Sequence, residues 1–137
     1  MHRSLGLLGL ARKGGRVELG EEAVGAACRS GHARLLILAQ DAGDSVRRRA
    51  EFFVRSGKPP CIVLPFTKDE LGSAVGRNVC SVAALTDVSL ARAFVAALGE
   101  PERYADVLDL LAKAVSRVEK RRREEKAHEK NLRHGKK

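Results

Sequence analysis

The 137-residue chain is long enough for one compact domain with its own core, and its hydrophobic fraction of 44% is ordinary for a globular protein. Its formal net charge of +9 favours a polyanionic partner, such as RNA, DNA or an anionic membrane surface. Aromatic residues make up only 4% of the chain, which argues against a platform of exposed rings for single-stranded nucleic acid.

Three cysteines, Cys28, Cys61 and Cys80, lie far apart in the sequence, and Cys28 and Cys61 fall within apolar runs. We interpret them as small hydrophobic residues of a protein in a reducing cytoplasm. No apolar run approaches the ~18 residues that a membrane-spanning helix needs, and no signal peptide is recognisable. We therefore expect a cytoplasmic protein that does not bind membranes.

Strand-like and helix-like patterns alternate every ten to fifteen residues or so between residues 4 and 98. The short apolar runs typical of strands lie at 16–19, 35–39, 61–64 and 79–85. The helices are predicted to begin at Ser4, Gly20, Asp44 or Ser45, Thr67, and Thr86 or Asp87. This alternation predicts an α/β fold, a three-layer α/β/α sandwich with a small mixed sheet of about four strands.

The composition changes after residues 99–102. Residues 101–137 hold 12 Lys and Arg against 7 Asp and Glu, whereas residues 1–100 hold 14 against 10. An apolar stripe at helical spacing covers 104–118, and we expect it to pack on the domain rather than on a partner. We divide the chain into an α/β domain, 1–100, and a helical basic extension, 101–137, whose end is expected to be frayed or disordered.

The two alternatives for the charged extension are a solvated tail and a basic arm that contacts RNA. No Gly-x-x-x-x-Gly-Lys-Ser/Thr loop occurs, and the glycines near the N-terminus do not follow a strand. The histidines are too scattered for a metal site. We expect no enzymatic activity, no cofactor and no metal.

Glu21 and Glu22 follow Gly20 at the start of the second predicted helix. Carboxylates there are favourable because they complement the helix dipole, by ~0.3–1 kcal/mol. Glu21 and Glu22 could instead mark a position at which the protein recognises a ligand. The residue types alone leave both interpretations open.

Three segments together resemble the kink-turn-binding ribosomal-protein superfamily, which includes archaeal and eukaryotic large-subunit proteins and bacterial YlxQ-like members. They are LGLARKGGRVELGEEAV, GHARLLILAQDAG and PCIVLPFTKDELGSAVGRNVCSVAALTD. The resemblance covers about residues 4–98 and implies a three-layer α/β/α fold that binds RNA. In this family the N-terminus of the second helix reads sheared G·A pairs at an RNA kink. A second loop covers a flipped-out nucleotide with apolar side chains.

The resemblance also implies which residues contact RNA. The family's Gly-x-Asn-Glu-x-x-Lys pattern begins at Gly20, but Glu22, Ala23 and Ala26 replace its Asn, Glu and Lys. The covering loop falls on 77–80, and basic residues lie near the preceding turn. The candidate RNA-binding residues are Lys13, Arg16, Gly20, Glu21, Glu22, Arg77, Asn78, Val79 and Cys80.

The leading hypothesis is a monomeric, non-enzymatic RNA-binding protein that is ribosomal-protein-like and recognises structured RNA of the kink-turn type. Its RNA would be ribosomal or another kink-turn RNA, in the context of the ribosome or translation. The alternative is a protein-interaction module of the translation machinery that kept the fold and lost kink-turn specificity. In that case, deletion of 117–137 should abolish RNA binding. A third hypothesis, an enzyme on the same scaffold, requires a cofactor pocket that the sequence does not indicate.

Overall fold

The computed structural model describes residues 2–134. Six helices and four strands alternate along these residues. The strands are β1 (Val17–Leu19), β2 (Leu35–Leu38), β3 (Cys61–Val63) and β4 (Val82–Leu85). The helices are α1 (Arg3–Lys13), α2 (Glu21–Arg29), α3 (Asp44–Gly57), α4 (Lys68–Val75), α5 (Val88–Ala97) and α6 (Ala105–His134).

The four strands form one mixed sheet in the order β1-β4-β2-β3. β2 and β3 are parallel, and β4 runs antiparallel to both β1 and β2. Three strands therefore end at one edge of the sheet, where β4 begins. We call this the carboxyl edge, marked by Gly20 and Val82, and the opposite one the amino edge, marked by Arg16 and Thr86.

Helices cover both faces of the sheet, which confirms the predicted α/β/α sandwich. Leu35 and Ile37 of β2 face a core that also contains buried residues of α1, α4, α5 and α6. Leu36 and Leu38 face a second core, formed with α2 and α3. Since successive side chains of a strand point to opposite faces, the continuous apolar run of β2 supplies both cores.

Two predicted helix starts are wrong. α1 begins one residue earlier than predicted, because the backbone N–H of Ser4 donates to Nδ1 of the His2 N-cap at 3.2 Å. α3 has Gly43 as its N-cap, without a side-chain hydrogen bond, instead of Asp44 or Ser45. The capping box of Thr67 and Glu70 and the Asp87 cap of α5 are confirmed.

β4 is shorter than the predicted strand at 79–85. The backbone N–H of Cys80 donates to the carbonyl oxygen of Lys68 at 2.9 Å, so the chain before Val82 is held against the start of α4. Residues 76–81 therefore form a loop, which we call the 76–81 loop. Its position decides the geometry of the candidate site.

The predicted apolar stripe of 104–118 packs on the domain as expected. Leu111 and Val115 are buried in the first core. The hydroxyl of Tyr104 donates to the carbonyl oxygen of Val63 at the end of β3, at 2.9 Å. α6 continues unbroken to His134, while 135–137 lie outside the described residues, so the frayed or disordered end stays a prediction.

α6 runs from the carboxyl edge to the amino edge and then leaves the domain. It starts beside Val63 and reaches the loops of the amino edge with Arg117. All side chains from 119 to 132 are exposed. With a rise of ~1.5 Å per residue, the exposed part extends ~20 Å or more beyond the domain. None of the helices within residues 2–134 combines the length and the apolar character required to cross a bilayer.

We expect Tyr104→Phe to lower the free energy of unfolding by ~0.5–1.5 kcal/mol, because the Val63 carbonyl loses its donor while the ring stays in place. Urea denaturation followed by circular dichroism measures the change. Leu132→Ala, in the exposed part of α6, is the control and should shift stability by less than ~0.5 kcal/mol. Equal stability of Tyr104→Phe and the wild type would show that this hydrogen bond does not anchor α6.

Candidate nucleic-acid interface

Gly20 fixes the point at which β1 turns into α2. Its φ of +88° lies in the region that favours glycine, because other L-residues are strained there. Its N–H donates to the carbonyl oxygen of Val82 at 3.1 Å, and its carbonyl accepts from the N–H of Val24 at 3.0 Å. The start of α2 is therefore tied directly to the first residue of β4.

Glu21 and Glu22 form the acidic first turn of α2. Glu22 is exposed and Glu21 is half-buried. Because the Gly20 N-cap has no side chain, it cannot satisfy the backbone N–H groups of the first turn. Backbone donors and carboxylate acceptors therefore lie side by side at this helix start.

The 76–81 loop lies directly on α4. The N–H of Arg77 donates to the carbonyl oxygen of Gly72 at 2.8 Å. A Cβ atom at position 72 would lie 2.8 Å from the carbonyl oxygens of both Arg77 and Asn78. Only glycine allows this close approach, so Gly72 sets the position of the loop.

The start of α2 and the 76–81 loop meet at the carboxyl edge. The Nη1 atom of Arg77 lies 3.9 Å from the position that a Cβ of Gly20 would occupy. Between them is a surface depression of about 210 Å³, whose lining includes Glu21 and Val79. Val79 is 53% exposed. The depression thus offers acceptors, a guanidinium group and an apolar surface within one small area.

The structure brings most of the predicted site residues together but separates two of them. Gly20 and Glu21 line the depression together with Arg77 and Val79 of the loop. Glu22 and Asn78 adjoin these residues in the chain but are not part of the lining. Cys80 is only 5% exposed. It nevertheless belongs to the lining of the depression, together with Gly20, Arg77 and Val79.

Lys13 and Arg16 precede β1, whereas Gly20 follows it. At ~3.3 Å per residue, Arg16 and Gly20 lie ~13 Å apart along the strand, at opposite edges of the sheet. Arg16 also forms an ion pair with Asp87. These two basic residues therefore belong to a surface other than the one around Gly20.

Sequence reasoning missed two contributors to the site. Val46 of α3 lines the depression and was not among the predicted site residues. Gly72 acts through packing, and the Leu-Gly-x-x-x-Gly spacing of residues 71–76 is the signal that could have indicated it.

An open groove of about 560 Å³ runs along α2 and the free edge of β1. Ala23 and Ala26 are among its lining residues, together with the carboxylate of Glu18. No Lys or Arg belongs to this lining among the described residues. The groove therefore has space beside the start of α2 but no cation that would hold a phosphate group.

The cysteines are poorly suited to nucleophilic chemistry. Burial raises the pKa of Cys61 to about 11, and the nearby Cys28 adds to this rise. Burial also raises the pKa of Cys28 and of Cys80, although Arg29 and Arg77 partly oppose it. Since the thiolate is the reactive form, these thiols are protonated at neutral pH.

We predict that Cys61 in a Cys28→Ser, Cys80→Ser variant reacts slowly with iodoacetamide. Burial, the larger cause of the raised pKa of Cys61, remains in this variant, so its thiolate fraction stays small and the rate should rise about tenfold per pH unit from pH 7 to pH 9. Mass spectrometry of quenched samples measures the rate, and the urea-unfolded variant is the control. A plateau near pH 8.5 in the folded protein would contradict the raised pKa.

We expect Gly72→Ala to destabilise the fold by ~1–3 kcal/mol, because the added methyl group collides with two carbonyl oxygens of the 76–81 loop. Gly6→Ala in α1 is the matched control. No heavy atom lies within 4 Å of its new Cβ, so it should stabilise by ~0.5–1 kcal/mol. Thermal unfolding measures both. A Gly72→Ala protein as stable as Gly6→Ala would show that the loop does not depend on this contact.

No protein-family model and no curated protein matches the sequence. Among solved structures, the fold is similar to that of the Giardia lamblia 15.5kD RNA binding protein, with 19% identity and a TM-score of 0.56 over 72% of this chain and 84% of that one. It is also similar to a protein of unknown function from Bacillus halodurans C, with a TM-score of 0.66. That match has 30% identity and covers 73% of this chain and 100% of the other. The chain therefore belongs to the same family as the Bacillus halodurans protein.

Proposed function

We propose that this chain is a non-enzymatic RNA-binding protein that recognises structured RNA of the kink-turn type. The observation that carries the proposal is the convergence of the α2 start and the 76–81 loop on one exposed depression. The fold shared with the Giardia lamblia 15.5kD RNA binding protein supports an RNA ligand. So does the resemblance of three sequence segments to the kink-turn-binding ribosomal-protein superfamily.

The proposed mechanism begins with the RNA. Ordinary A-form RNA hides base edges in a deep and narrow major groove, and a kink exposes them. The first turn of α2 would enter there. The carboxylate of Glu22 accepts hydrogen bonds only, so it would bind the amino groups of guanine bases. Backbone N–H groups of the same turn would receive a phosphate.

The 76–81 loop would bind the nucleotide that leaves the stack at the kink. The exposed Val79 offers an apolar surface for an unstacked base. Arg77, held near Gly20, would supply a charge for the adjacent phosphate. A role in the ribosome or in translation, and action as a cytoplasmic monomer, follow from the resemblance and are part of the proposal.

A protein-interaction module is the second candidate function. The depression contains the carboxylate of Glu21 and, among the described residues, the single cation of Arg77. Ala26 stands where the family has lysine. This charge balance is weak for a surface that must hold a polyanion. If the chain is such an interaction module, it has no specificity for kink-turn RNA, and a protein partner occupies this surface.

The test is a titration of the full-length protein with a kink-turn hairpin at fixed moderate salt. The control is the same hairpin with Watson–Crick pairs in place of the sheared G·A pairs. We expect a preference of ~tenfold or more for the kinked hairpin, since several hydrogen bonds of ~1–3 kcal/mol each depend on it. Equal and weak binding of both hairpins would reject the proposal and favour the interaction module.

Glu22→Ala should remove most of this preference if Glu22 reads the G·A pairs. Glu51→Ala removes an equal charge from an exposed position of α3 that does not line the depression, and it should leave the preference unchanged. Fluorescence anisotropy with both hairpins measures the ratio. If a Glu22→Ala protein retained the full preference, Glu22 would only stabilise the start of α2 and would not recognise the G·A pairs.

A further inference from the structure

The charges of the described residues are separated between the two edges of the sheet. α2, α3 and α4 begin at the carboxyl edge with acidic first turns, which contain Glu21, Glu22, Asp44, Asp69 and Glu70. α1, α2 and α3 end at the amino edge with basic last turns, which contain Arg12, Lys13, Arg29 and Arg55. Each arrangement complements the helix dipole. Together they make the amino edge the basic end of the domain.

Three cations of the amino edge line one cleft. Arg34 precedes β2, Lys58 follows α3, and Arg117 belongs to α6. The cleft has a volume of about 320 Å³, and no Asp or Glu is part of its lining among the described residues. The remaining lining is mostly apolar and includes Pro59, Pro60, Val88, Leu110, Leu111 and Ala114. We call this the amino-edge cleft.

The three cations remain available to a ligand. Nη1 of Arg34 donates to the carbonyl oxygen of Gly31 at 3.1 Å, which uses one of its five N–H groups. Lys58, whose backbone is left-handed with a φ of 57°, and Arg117 are exposed. Two carboxylates are adjacent to the lining in sequence: Asp87 already binds Arg16 and caps α5, and Asp109 pairs with Lys113 at 3.0 Å.

The exposed part of α6 extends the basic surface from this cleft. It begins directly after Arg117 and Val118. Residues 119–132 contain six cations and four carboxylates. The cations are Lys120, Arg121, Arg122, Arg123, Lys126 and Lys130. A ligand that follows the helix away from the cleft therefore meets further positive charge.

We propose that the amino-edge cleft, together with the exposed part of α6, is a second RNA-binding surface that holds the phosphate backbone of a duplex. Lys and Arg carry no side-chain acceptor and bind phosphate without reading sequence. The apolar lining would pack against ribose. This surface lies at the other end of the strands from the depression at Gly20, so one protein molecule could hold two RNA segments at once. The inference goes beyond the proposed recognition of a kinked RNA.

A blunt 20-base-pair RNA duplex without unpaired nucleotides is the probe for this surface. We expect the full-length variant Arg34→Gln, Lys58→Asn, Arg117→Gln to bind it ~tenfold or more weakly than the wild type. Its log–log salt slope should fall by about two to three, roughly one for each lost phosphate contact. Asn at position 58 tolerates the left-handed backbone.

The matched control is Arg3→Gln, Arg48→Gln, Arg92→Gln, which lowers the net charge equally at exposed positions outside the cleft. It should change the affinity less than ~threefold. The charge-conserving pair Arg34→Lys, Arg117→Lys should retain duplex binding. Equal losses in the cleft variant and the control, or no loss in either, would overturn the proposal.

Energy transfer between a donor-labelled kinked hairpin and an acceptor-labelled duplex tests simultaneous binding. The wild type should bring the two RNAs together, and the cleft variant should bind the hairpin alone. Competition between the two RNAs for the wild type would overturn the inference of separate surfaces. The two proposals fail in different experiments. If the proposed function is wrong, the protein binds the kinked and Watson–Crick hairpins with equal affinity. If the second surface is wrong, the cleft variant binds the duplex no more weakly than the matched control does.

Discussion

The antiparallel position of β4 between β1 and β2 is the constraint on which the rest of the structure depends. It places Val82 beside Gly20, and the hydrogen bond between their backbones ties the α2 start to the end of the 76–81 loop. If β4 ran parallel to its neighbours, this loop would end at the amino edge. The candidate site is therefore a consequence of strand direction. Gly20 allows the turn into α2, and Gly72 allows the close approach of the 76–81 loop.

The same strand directions explain the distribution of charge. Because β1, β2 and β3 all end at one edge, the helices that follow them all begin there. Acidic residues stabilise helix starts and basic residues stabilise helix ends, so α2 and α3 contribute to this separation at both ends, α1 through its basic end and α4 through its acidic start. The depression at the carboxyl edge is consequently poor in cations, and the basic amino edge is the better place for phosphate. Under the two proposals, structure-specific recognition of RNA takes place at the carboxyl edge, and non-specific binding of its phosphates takes place at the amino edge.

Much of the fold could be predicted because local patterns and tertiary packing agree. The run at 35–39 is apolar at every position, as a strand covered on both faces must be, and the Thr67–Glu70 capping box works through contacts within one turn. The apolar stripe at 104–118, which packs on the domain as part of α6, could be predicted for the same reason. The wrong helix starts at Ser4 and Asp44 show the limit, since several neighbouring residues could cap each helix and small differences decide between them.

The sequence by itself determined the order of the elements, the two apolar faces of the sheet and the excess of positive charge. It also indicated residues 20–22 and 77–80 as candidates, through local spacing and family resemblance. Only the tertiary structure decided that the loop with Arg77 and Val79 meets the α2 start at Gly20, which leaves Arg16 at the other edge of the sheet. It alone brought Arg34, Lys58 and Arg117 into one cleft. Residues distant in the chain meet through strand pairing and helix direction, and neither is encoded in the spacing of any single segment.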